Sequence, residues 1–366
     1  MARSPECTEQ YPQKVRDTAD ICQRDVQPHH LTLLFLPTIL YRLAEASNPL
    51  VCSIIPLLQF RCGGRDSPQH KTPRSPMSHL RLHTIFATLV LFPATLSYSQ
   101  QYTQASCTFN LFQAPGLVGG VNDFRTTVGQ SSSNAALGFV RYSGGNVSYF
   151  SPPNAASTSP SGRNDGGASV GFYTTQGSSI RKGFILQGST FTSFTHPKAV
   201  HGTVLTANNK YNSTVGYFFD SANITHGFKR YSNGGLVSLN YPGASGGTQA
   251  LGINDYGTVV GSFVSISGGN AFEHGFLYHG GTWAQVDYST NPGTSLDAIS
   301  NTNVVVGHFQ WLSTYISFLY ANGVFKNIFV PNADSTQVTD ISAKGVISGN
   351  AAYSDGSVKE FTATCK

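Results

Sequence analysis

The sequence predicts an all-β fold, a six-bladed β-propeller with four short strands in each blade. A repeat of about 45 residues and a chain rich in β-forming residues between polar turns both indicate it. Each repeat has a polar turn followed by a strand that closes on a glycine, as in LGINDYGTVVGSF at 251–263. The closing glycines are Gly129, Gly171, Gly216, Gly261, Gly307 and Gly349, at steps of 42, 45, 45, 46 and 42 residues. Periods in the forties are typical of propeller repeats.

A second marker keeps the same period. It is a phenylalanine that follows glycine in most copies, and its positions are Phe139, Phe184, Phe228, Phe276, Phe318 and Phe361. Two markers in phase over six copies predict six equivalent structural units.

One unit, residues 248–290, contains four β-type segments: TQALGIN, TVVGSFV, HGFLYHG and TWAQVDY. Val, Phe, Tyr and Thr favour strands, and the Gly, Asn and Asp between them favour turns. Glycine or asparagine at the fourth turn position adopts left-handed geometry with least strain. Arg125 holds that position in the first copy and weakens the turn signal there.

The two chain ends predict how the ring closes. The last repeat stops after its third segment, at Cys365, and the segment Cys107–Gly116 matches the fourth segment of a complete unit. We therefore expect the N-terminal strand to complete the last blade and to bring Cys107 beside Cys365 in a disulfide. The alternatives are two free buried thiols, a propeller of five or seven blades, or a β-solenoid.

The region before the repeats indicates export. Residues 77–99 have the layout of a signal peptide, with Arg81 before a short apolar run and small residues Ser97 and Ser99 near its end. Residues 1–76 precede this signal, and we expect them to be disordered or an over-extended start. A zinc site from Cys22, His29, His30, Cys52 and Cys62 lacks the spacing of a tight ligand pair.

Charge narrows the class of partner. The formal net charge is +5, but residues 100–366 hold 13 Lys and Arg against 11 Asp and Glu, a net charge of +2. This region has no basic stripe for a nucleic-acid backbone and no second apolar segment for a membrane span. We expect a monomeric protein without cofactor or metal, secreted to the extracellular space or the periplasm.

The motifs resemble a known family. The triplets His226-Gly227-Phe228 and His274-Gly275-Phe276, with GIND.G.VVG and NYPGA nearby, are similar to the HAF-type extracellular repeat proteins of bacteria. The resemblance covers roughly 107–365 and implies secretion and a repeat architecture, but it brings no catalytic residues. Other copies carry Leu137, Lys182, Ile316 and Lys359 in the histidine position, so an imidazole there is not an architectural requirement.

Most polar candidates have a structural interpretation. We expect His226 and His274 to hydrogen-bond a neighbouring segment, and the turn aspartates Asp123, Asp165 and Asp255 to cap their turns. Each turn offers one carboxylate, too few for calcium. Ser245 fits G-x-S-x-G, but no strand–turn–helix context surrounds it.

Two functions of different classes remain. We expect a non-enzymatic propeller that binds an extracellular polysaccharide or another envelope component, with Trp311 and Tyr315 as candidate binding residues in the connection HFQWLSTYISF. Trp283 occupies a position held by phenylalanine in other copies, which favours packing. The alternative is a glycan hydrolase or lyase with two carboxylates at the channel mouth. The candidate carboxylates are Asp220, Glu273, Asp287, Asp297, Asp334 and Asp340.

Overall fold

A computed structural model describes residues 103–288, 293–311 and 314–366. The predicted upstream region 1–76 and signal peptide 77–99 lie outside these residues. The described residues form 25 β-strands and no helix, as the composition predicts.

The strands follow the repeats. The described part of the chain begins with β1 (Thr103–Gln104) and β2 (Cys107–Phe112). The next strands are β3 (Val118–Val121), β4 (Thr127–Gln130), β5 (Gly138–Arg141), β6 (Val147–Phe150), β7 (Ala155–Arg163), β8 (Ala168–Thr175), β9 (Lys182–Gln187), β10 (Thr190–Phe194), β11 (Gly202–Asn208), β12 (Thr214–Phe219), β13 (Thr225–Arg230) and β14 (Leu236–Leu239). The remaining strands are β15 (Gly247–Ile253), β16 (Val259–Ser267), β17 (Asn270–His279), β18 (Thr282–Val286), β19 (Thr294–Ile299), β20 (Val305–Trp311), β21 (Thr314–Ala321), β22 (Val324–Asn327), β23 (Ser335–Ile341), β24 (Ile347–Ala352) and β25 (Val358–Cys365).

Hydrogen bonding groups the strands into antiparallel meanders. Strands β3–β6 form one sheet, and β7–β10 form another. Strands β11–β14 and β15–β18 are two meanders joined into a single sheet by one parallel pair, Thr225 with Gly247. Strands β19–β22 form the next sheet, and β23–β25 take β2 as their outer strand.

The meanders are arranged in a closed ring. The first strand of each meander contacts the first strand of the next, in the order β3, β7, β11, β15, β19, β23 and back to β3. This cyclic order makes the fold a β-propeller and excludes the linear stacking of a solenoid. The inner strands therefore surround a central channel.

The first and last parts of the repeat region meet in the sheet of β23–β25. Strand β2 pairs along β25 with Cys107 opposite Cys365, and these residues form a disulfide across 258 positions of sequence. This confirms the predicted bridge and the predicted partner of the N-terminal strand. The sequence did not predict β1, which pairs in parallel with β22 of the neighbouring meander. The N-terminal segment therefore contacts two meanders.

The two repeat markers are cross-strand partners. Each closing glycine lies directly opposite the marker phenylalanine of the next strand, as Gly261 does with Phe276. All the marker phenylalanines are fully buried. At Gly261 a β-carbon would overlap the carbonyl oxygen of Gln249 and lie 2.8 Å from the Phe276 ring. Glycine is required there because the ring and the inner strand occupy the side-chain space.

Each inner strand also contains a β-bulge at the same position. The register shifts by one residue in β3, β7, β11, β15, β19 and β23, and β7 has a second shift near its start, between Ala155 and Ser157. A bulge bends a strand and redirects the extra side chain. The bulged residues are Gly119, Ser161, Thr206, Leu251, Asp297 and Thr339.

The antiparallel order defines two faces of the ring. The polar turns between first and second strands lie on one face, which we name the turn face. The connections between second and third strands, and those between successive meanders, lie on the other, which we name the loop face. Connecting loops are the usual place for binding residues.

Candidate functional site

The turn face is closed by a ring of asparagine side chains. In one turn, the Oδ1 atom of Asn254 accepts hydrogen bonds from the backbone N–H groups of Tyr256 and Thr258. Its Nδ2 group donates to the carbonyl oxygen of Ser300 in the next meander, at 3.1 Å. One amide therefore caps its own turn and fastens the neighbouring turn.

The same bridge repeats around the ring. Asn122 donates to the carbonyl of Asn164, Asn164 to that of Asn209, and Asn209 to that of Asn254. Serine replaces asparagine at Ser300 and Ser342. There the backbone N–H of Asn301 donates to the Ala343 carbonyl, and the backbone N–H of Lys344 donates to the Asp123 carboxylate. The cavity enclosed by these turns has a volume of only about 50 Å³.

The turn aspartates have a different role from the predicted one. They do not cap their own turns; their carboxylates accept backbone N–H groups of a neighbouring turn. Asp165 accepts from Asp123, Asp255 from Lys210, and Asp123 from Lys344. The prediction of turn capping was wrong for these aspartates because asparagine already satisfies each turn, which leaves the carboxylates free to join modules.

Two of these carboxyl groups interact with each other. Burial and the nearby Asp123 charge raise the pKa of Asp165. Burial also acts on Asp123, but hydrogen bonds from Ser342 and Lys344 outweigh it and lower the pKa of that carboxyl. The Asp123 side chain is only 3% exposed. The turn face therefore presents engaged carboxylates rather than an open site.

The opposite end of the channel is wider. A cavity of about 300 Å³ is lined by the six bulged residues together with Asp340 and His308. Of the predicted carboxylates, the cavity brings together Asp297 and Asp340. The bulge explains why sequence periodicity could not place Asp297 there, since a single extra residue reverses the side to which a strand residue points.

Asp340 stands out among its equivalents in the repeat. The residues in its position in the other inner strands are small: Gly120, Gly162, Ala207, Gly252 and Ala298. The two carboxyl oxygens of Asp340 accept backbone N–H groups of Val121 and Ile341, at 2.9 and 2.8 Å. Burial raises the pKa of Asp340 to about 7, although these two hydrogen bonds oppose the shift.

Asp297 is paired with a histidine. Its carboxylate accepts a hydrogen bond from Ser295 at 2.7 Å and bonds Nδ1 of His308 at 2.8 Å. Burial disfavours protonation of His308, but the charge and hydrogen bond of Asp297 outweigh it and raise the pKa of the imidazole. The ring of Tyr315 lies edge-on to His308, at 5.1 Å between centroids, and Tyr315 is 59% exposed. The predicted binding residue Tyr315 therefore lies near the channel mouth, whereas the side chain of Trp311 lies outside the described residues.

The histidines of the HGF triplets also pair with carboxylates, which confirms the predicted hydrogen bonds to neighbouring segments. His226 Nε2 bonds Asp220 at 2.9 Å, and His274 Nδ1 bonds Asp287 at 3.0 Å. Each imidazole also stacks on a phenylalanine of the preceding strand, Phe218 or Phe263.

The His226 pair borders a second cavity on the loop face. This cavity of about 500 Å³ is lined by residues of the connection 196–198 and of β13 and β14. His196 forms one wall, stacked on Phe218 at 4.0 Å between centroids, and its Nδ1 accepts the backbone N–H of Lys198. Burial, with the nearby charge of Lys198, lowers the pKa of His196. Two imidazoles, an amine and the Asp220 carboxylate therefore face one opening.

The remaining candidates are structural or lie elsewhere. Trp283 packs against Tyr241, Phe276 and Tyr278, as its repeat position predicts. The Ser245 hydroxyl accepts the backbone N–H of Ile266, and no helix follows it.

The described part of the chain contains no group of three or more His, Cys, Asp or Glu side chains placed to hold a metal ion. It also contains no helix with the length and apolar character of a membrane span.

No family model and no curated protein sequence matches the chain. Solved structures similar to it include a streptogramin B lyase, with 14% identity, 71% of this chain and 98% of that chain covered, and a TM-score of 0.44. The β-propeller domain of the Trilobed protease from Pyrococcus furiosus has 8% identity, coverages of 71% and 95%, and a TM-score of 0.41. A gluconolactonase from Xanthomonas campestris has 9% identity, coverages of 72% and 90%, and a TM-score of 0.43.

Proposed function

We propose that this chain is a secreted, non-enzymatic, six-bladed β-propeller of the HAF type that binds an extracellular polysaccharide or another envelope component through its loop face. The blade count follows from treating β11–β14 and β15–β18, which a single parallel pair joins, as two blades. Secretion accords with the disulfide, since such bonds persist in oxidising compartments.

The difference between the two faces carries the proposal. On the turn face, asparagine and aspartate side chains bond one another's backbones around a cavity of about 50 Å³. On the loop face, cavities of about 300 and 500 Å³ are lined by imidazole, carboxamide and hydroxyl groups. Glycans are bound by such hydrogen-bonding groups together with exposed aromatic rings, and Tyr315 supplies a ring at this face.

A glycan array probed with the full chain tests the proposal. We expect binding to a polysaccharide or envelope glycan, and we expect Tyr315→Ala to weaken that binding while Tyr256→Ala does not. Tyr256 is a matched control because it is 69% exposed and lies in a turn of the opposite face. Absence of binding to every glycan, or equal loss in both variants, would contradict the proposal.

One observation favours the second candidate, a glycan hydrolase or lyase. Asp340, with a pKa of about 7, shares the channel cavity with the Asp297–His308 pair. A protonated carboxyl group beside a carboxylate–imidazole pair is a set that could supply a general acid and a general base. Incubating each glycan that binds with wild type and with Asp340→Asn decides between the candidates. Wild-type cleavage that the variant lacks would establish the enzyme.

A further inference from the structure

A third cavity on the loop face contains a positive charge without a partner. The cavity measures about 480 Å³ and is lined by Ser179, Ile180, Arg181, His201, Phe219 and Asn223. None of these residues is acidic, and within the described part of the chain no carboxylate forms an ion pair with Arg181. In the described part of the chain the ion pairs involve lysine and histidine side chains and no arginine, so Arg181 is distinguished by lining a cavity without an acid and not by the missing ion pair.

The guanidinium of Arg181 is held in place by two aromatic rings. Its central carbon lies 5.1 Å from the ring centroid of Phe172 and 5.6 Å from that of Phe219. The Arg181 backbone is fixed as well, because it forms a bridge to Gly202 and its carbonyl accepts the N–H of Thr203 at 2.8 Å. A planar cation that is positioned in advance loses little entropy when it binds a carboxylate or sulfate with two hydrogen bonds.

The acid next in sequence to the lining residue Phe219 is already engaged. Asp220 follows Phe219 directly, but its Oδ1 atom accepts the backbone N–H groups of Ala222 and Ile224, and its Oδ2 atom bonds His226. It therefore faces the neighbouring cavity and leaves the Arg181 charge uncompensated.

The two cavities border the same connection. His196 and Lys198 line the cavity next to His226, and His201, three residues after Lys198, lines the cavity of Arg181. Two cationic side chains, three imidazoles and the single carboxylate of Asp220 therefore line neighbouring openings on one side of the ring.

We propose that this pair of cavities binds an acidic glycan, with a carboxylate or sulfate group of one sugar held by Arg181 and a neighbouring sugar lying toward Lys198. This inference rests on the proposed glycan-binding function and adds the charge of the ligand. Asn223 and Ser179 offer the uncharged hydrogen-bonding groups that sugar hydroxyls require.

Titration calorimetry of the full chain with three polymers tests the inference. These are polygalacturonate, its fully methyl-esterified form and dextran sulfate. We expect binding to polygalacturonate or dextran sulfate that weakens steeply with added salt, and no comparable binding to the ester. The two charged polymers distinguish a carboxylate site from a sulfate site. Equal binding of the acid and its ester would overturn the inference and leave glycan binding intact.

Arg181→Gln should weaken binding of the acidic polymer by about 10- to 100-fold, since a hydrogen bond to a charged group is lost. Arg230→Gln is the matched control, because Arg230 lies over the Phe194 ring at 5.4 Å in the same manner but at the turn-face end of β13. Arg181→Lys retains the charge without the planar group and should give an intermediate loss. Equal losses in the Arg181 and Arg230 variants would contradict the site.

A second measurement separates this inference from the proposed function. NMR of ¹⁵N-labelled arginine side chains in the wild type should show the Arg181 guanidinium signal shift with galacturonate or sulfate ions. A shift of the Arg181 signal without binding of any glycan would contradict the proposed glycan binding and still support an anion site at Arg181. An unchanged Arg181 signal together with glycan binding would remove the anion site.

Discussion

The glycine that closes each second strand is fixed by the phenylalanine opposite it. Adding a methyl group at Gly261 forces it against the Gln249 carbonyl and the Phe276 ring, which is fully buried. We expect Gly261→Ala to lower the free energy of unfolding by about 2–4 kcal/mol, because neither backbone nor buried ring can move freely. Thermal unfolding with Gly144→Ala as a control checks this, since Gly144 faces open space. Similar melting temperatures for the two variants would contradict the packing argument.

The buried carboxyl group of Asp340 predicts a pH dependence of stability. Its pKa rises from 3.8 to about 7 on folding, so the folded protein holds an extra proton between these values. Stability therefore falls as the pH rises from about 4 to 7, by about 1.4 kcal/mol for each unit of the shift as an upper bound.

Asp340→Asn should remove this part of the pH dependence, because an amide does not titrate. Melting temperatures at pH 4, 5.5, 7 and 8 for the wild type, for Asp340→Asn and for Asp334→Asn provide the measurement. Asp334 is exposed and serves as the control. A wild-type slope that persists unchanged in Asp340→Asn would show that other groups cause it.

Arg125 shows that a turn can form even where the backbone preference of one of its residues disfavours it. The sequence predicts a weak first turn because arginine disfavours left-handed geometry, yet Arg125 adopts a φ of 58° and the turn forms as in the other copies. The equivalent residues Asn212 and Asn303 have nearly the same φ. The Asn122 side chain caps the turn, and the Arg125 guanidinium donates to the Thr362 hydroxyl. Contacts between modules therefore outweigh a local preference, which a single-residue signal cannot reveal.

At the scale of the element, the turn asparagine both caps its own turn and bridges to the next meander. Substitutions can separate these two roles. Asn254→Ser should retain the turn, because Ser300 and Ser342 accept the equivalent N–H groups in their copies. It should lose the bridge to the Ser300 carbonyl, at a cost of about 1 kcal/mol. Asn254→Ala loses both and should cost about 2–3 kcal/mol. Chemical denaturation of the three proteins checks this order, and equal stability of the serine and alanine variants would contradict the separation.

The elements themselves could be predicted because each strand carries its own alternation of β-forming and turn residues. The closing glycine and the phenylalanine were visible as separate markers, but their cross-strand pairing appears only in the structure. The bulge in each inner strand has no sequence signature, because residues as different as Gly119, Leu251 and Asp297 occupy the bulged position. The lining of the channel was therefore beyond sequence reasoning, as was the meeting of Asp297 with His308.

The loop-face start of each third strand combines a constant framework with a variable residue. The residues just before the histidine position are Ala136, Arg181, Thr225, Glu273, Tyr315 and Val358. The framework repeats because the marker phenylalanine must pack, whereas these residues differ in charge and size from copy to copy. Tyr315 and Arg181, the two residues proposed to contact ligands, occupy equivalent positions in different meanders. The proposed function thus assigns recognition to the unrepeated side chains at the loop face, which the repeated framework holds in place.

At the scale of the whole molecule, closure depends on a short N-terminal segment. Strand β1 pairs with β22, Ser106 exchanges backbone hydrogen bonds with Lys366, and β2 pairs along β25. The matching of incomplete first and last repeats made the β2 pairing predictable. The contact of β1 with the preceding meander could not be predicted, because two residues carry no periodicity.

The disulfide should stabilise this closure mainly through the unfolded chain. Cys107 and Cys365 are separated by 258 positions, so the bond restricts a very long loop, and the chain-entropy model gives about 4–5 kcal/mol. The native ring should persist in Cys107→Ser/Cys365→Ser, because the backbone pairs of β2 with β25 do not require the sulfur atoms. We expect a lower melting temperature with unchanged circular dichroism at room temperature. Amide hydrogen exchange should become faster only in β2 and β25. The disulfide links these two strands, which are far apart in the sequence. Loss of the folded signal at room temperature, or accelerated exchange in all meanders alike, would mean that the covalent bond and not strand pairing closes the ring.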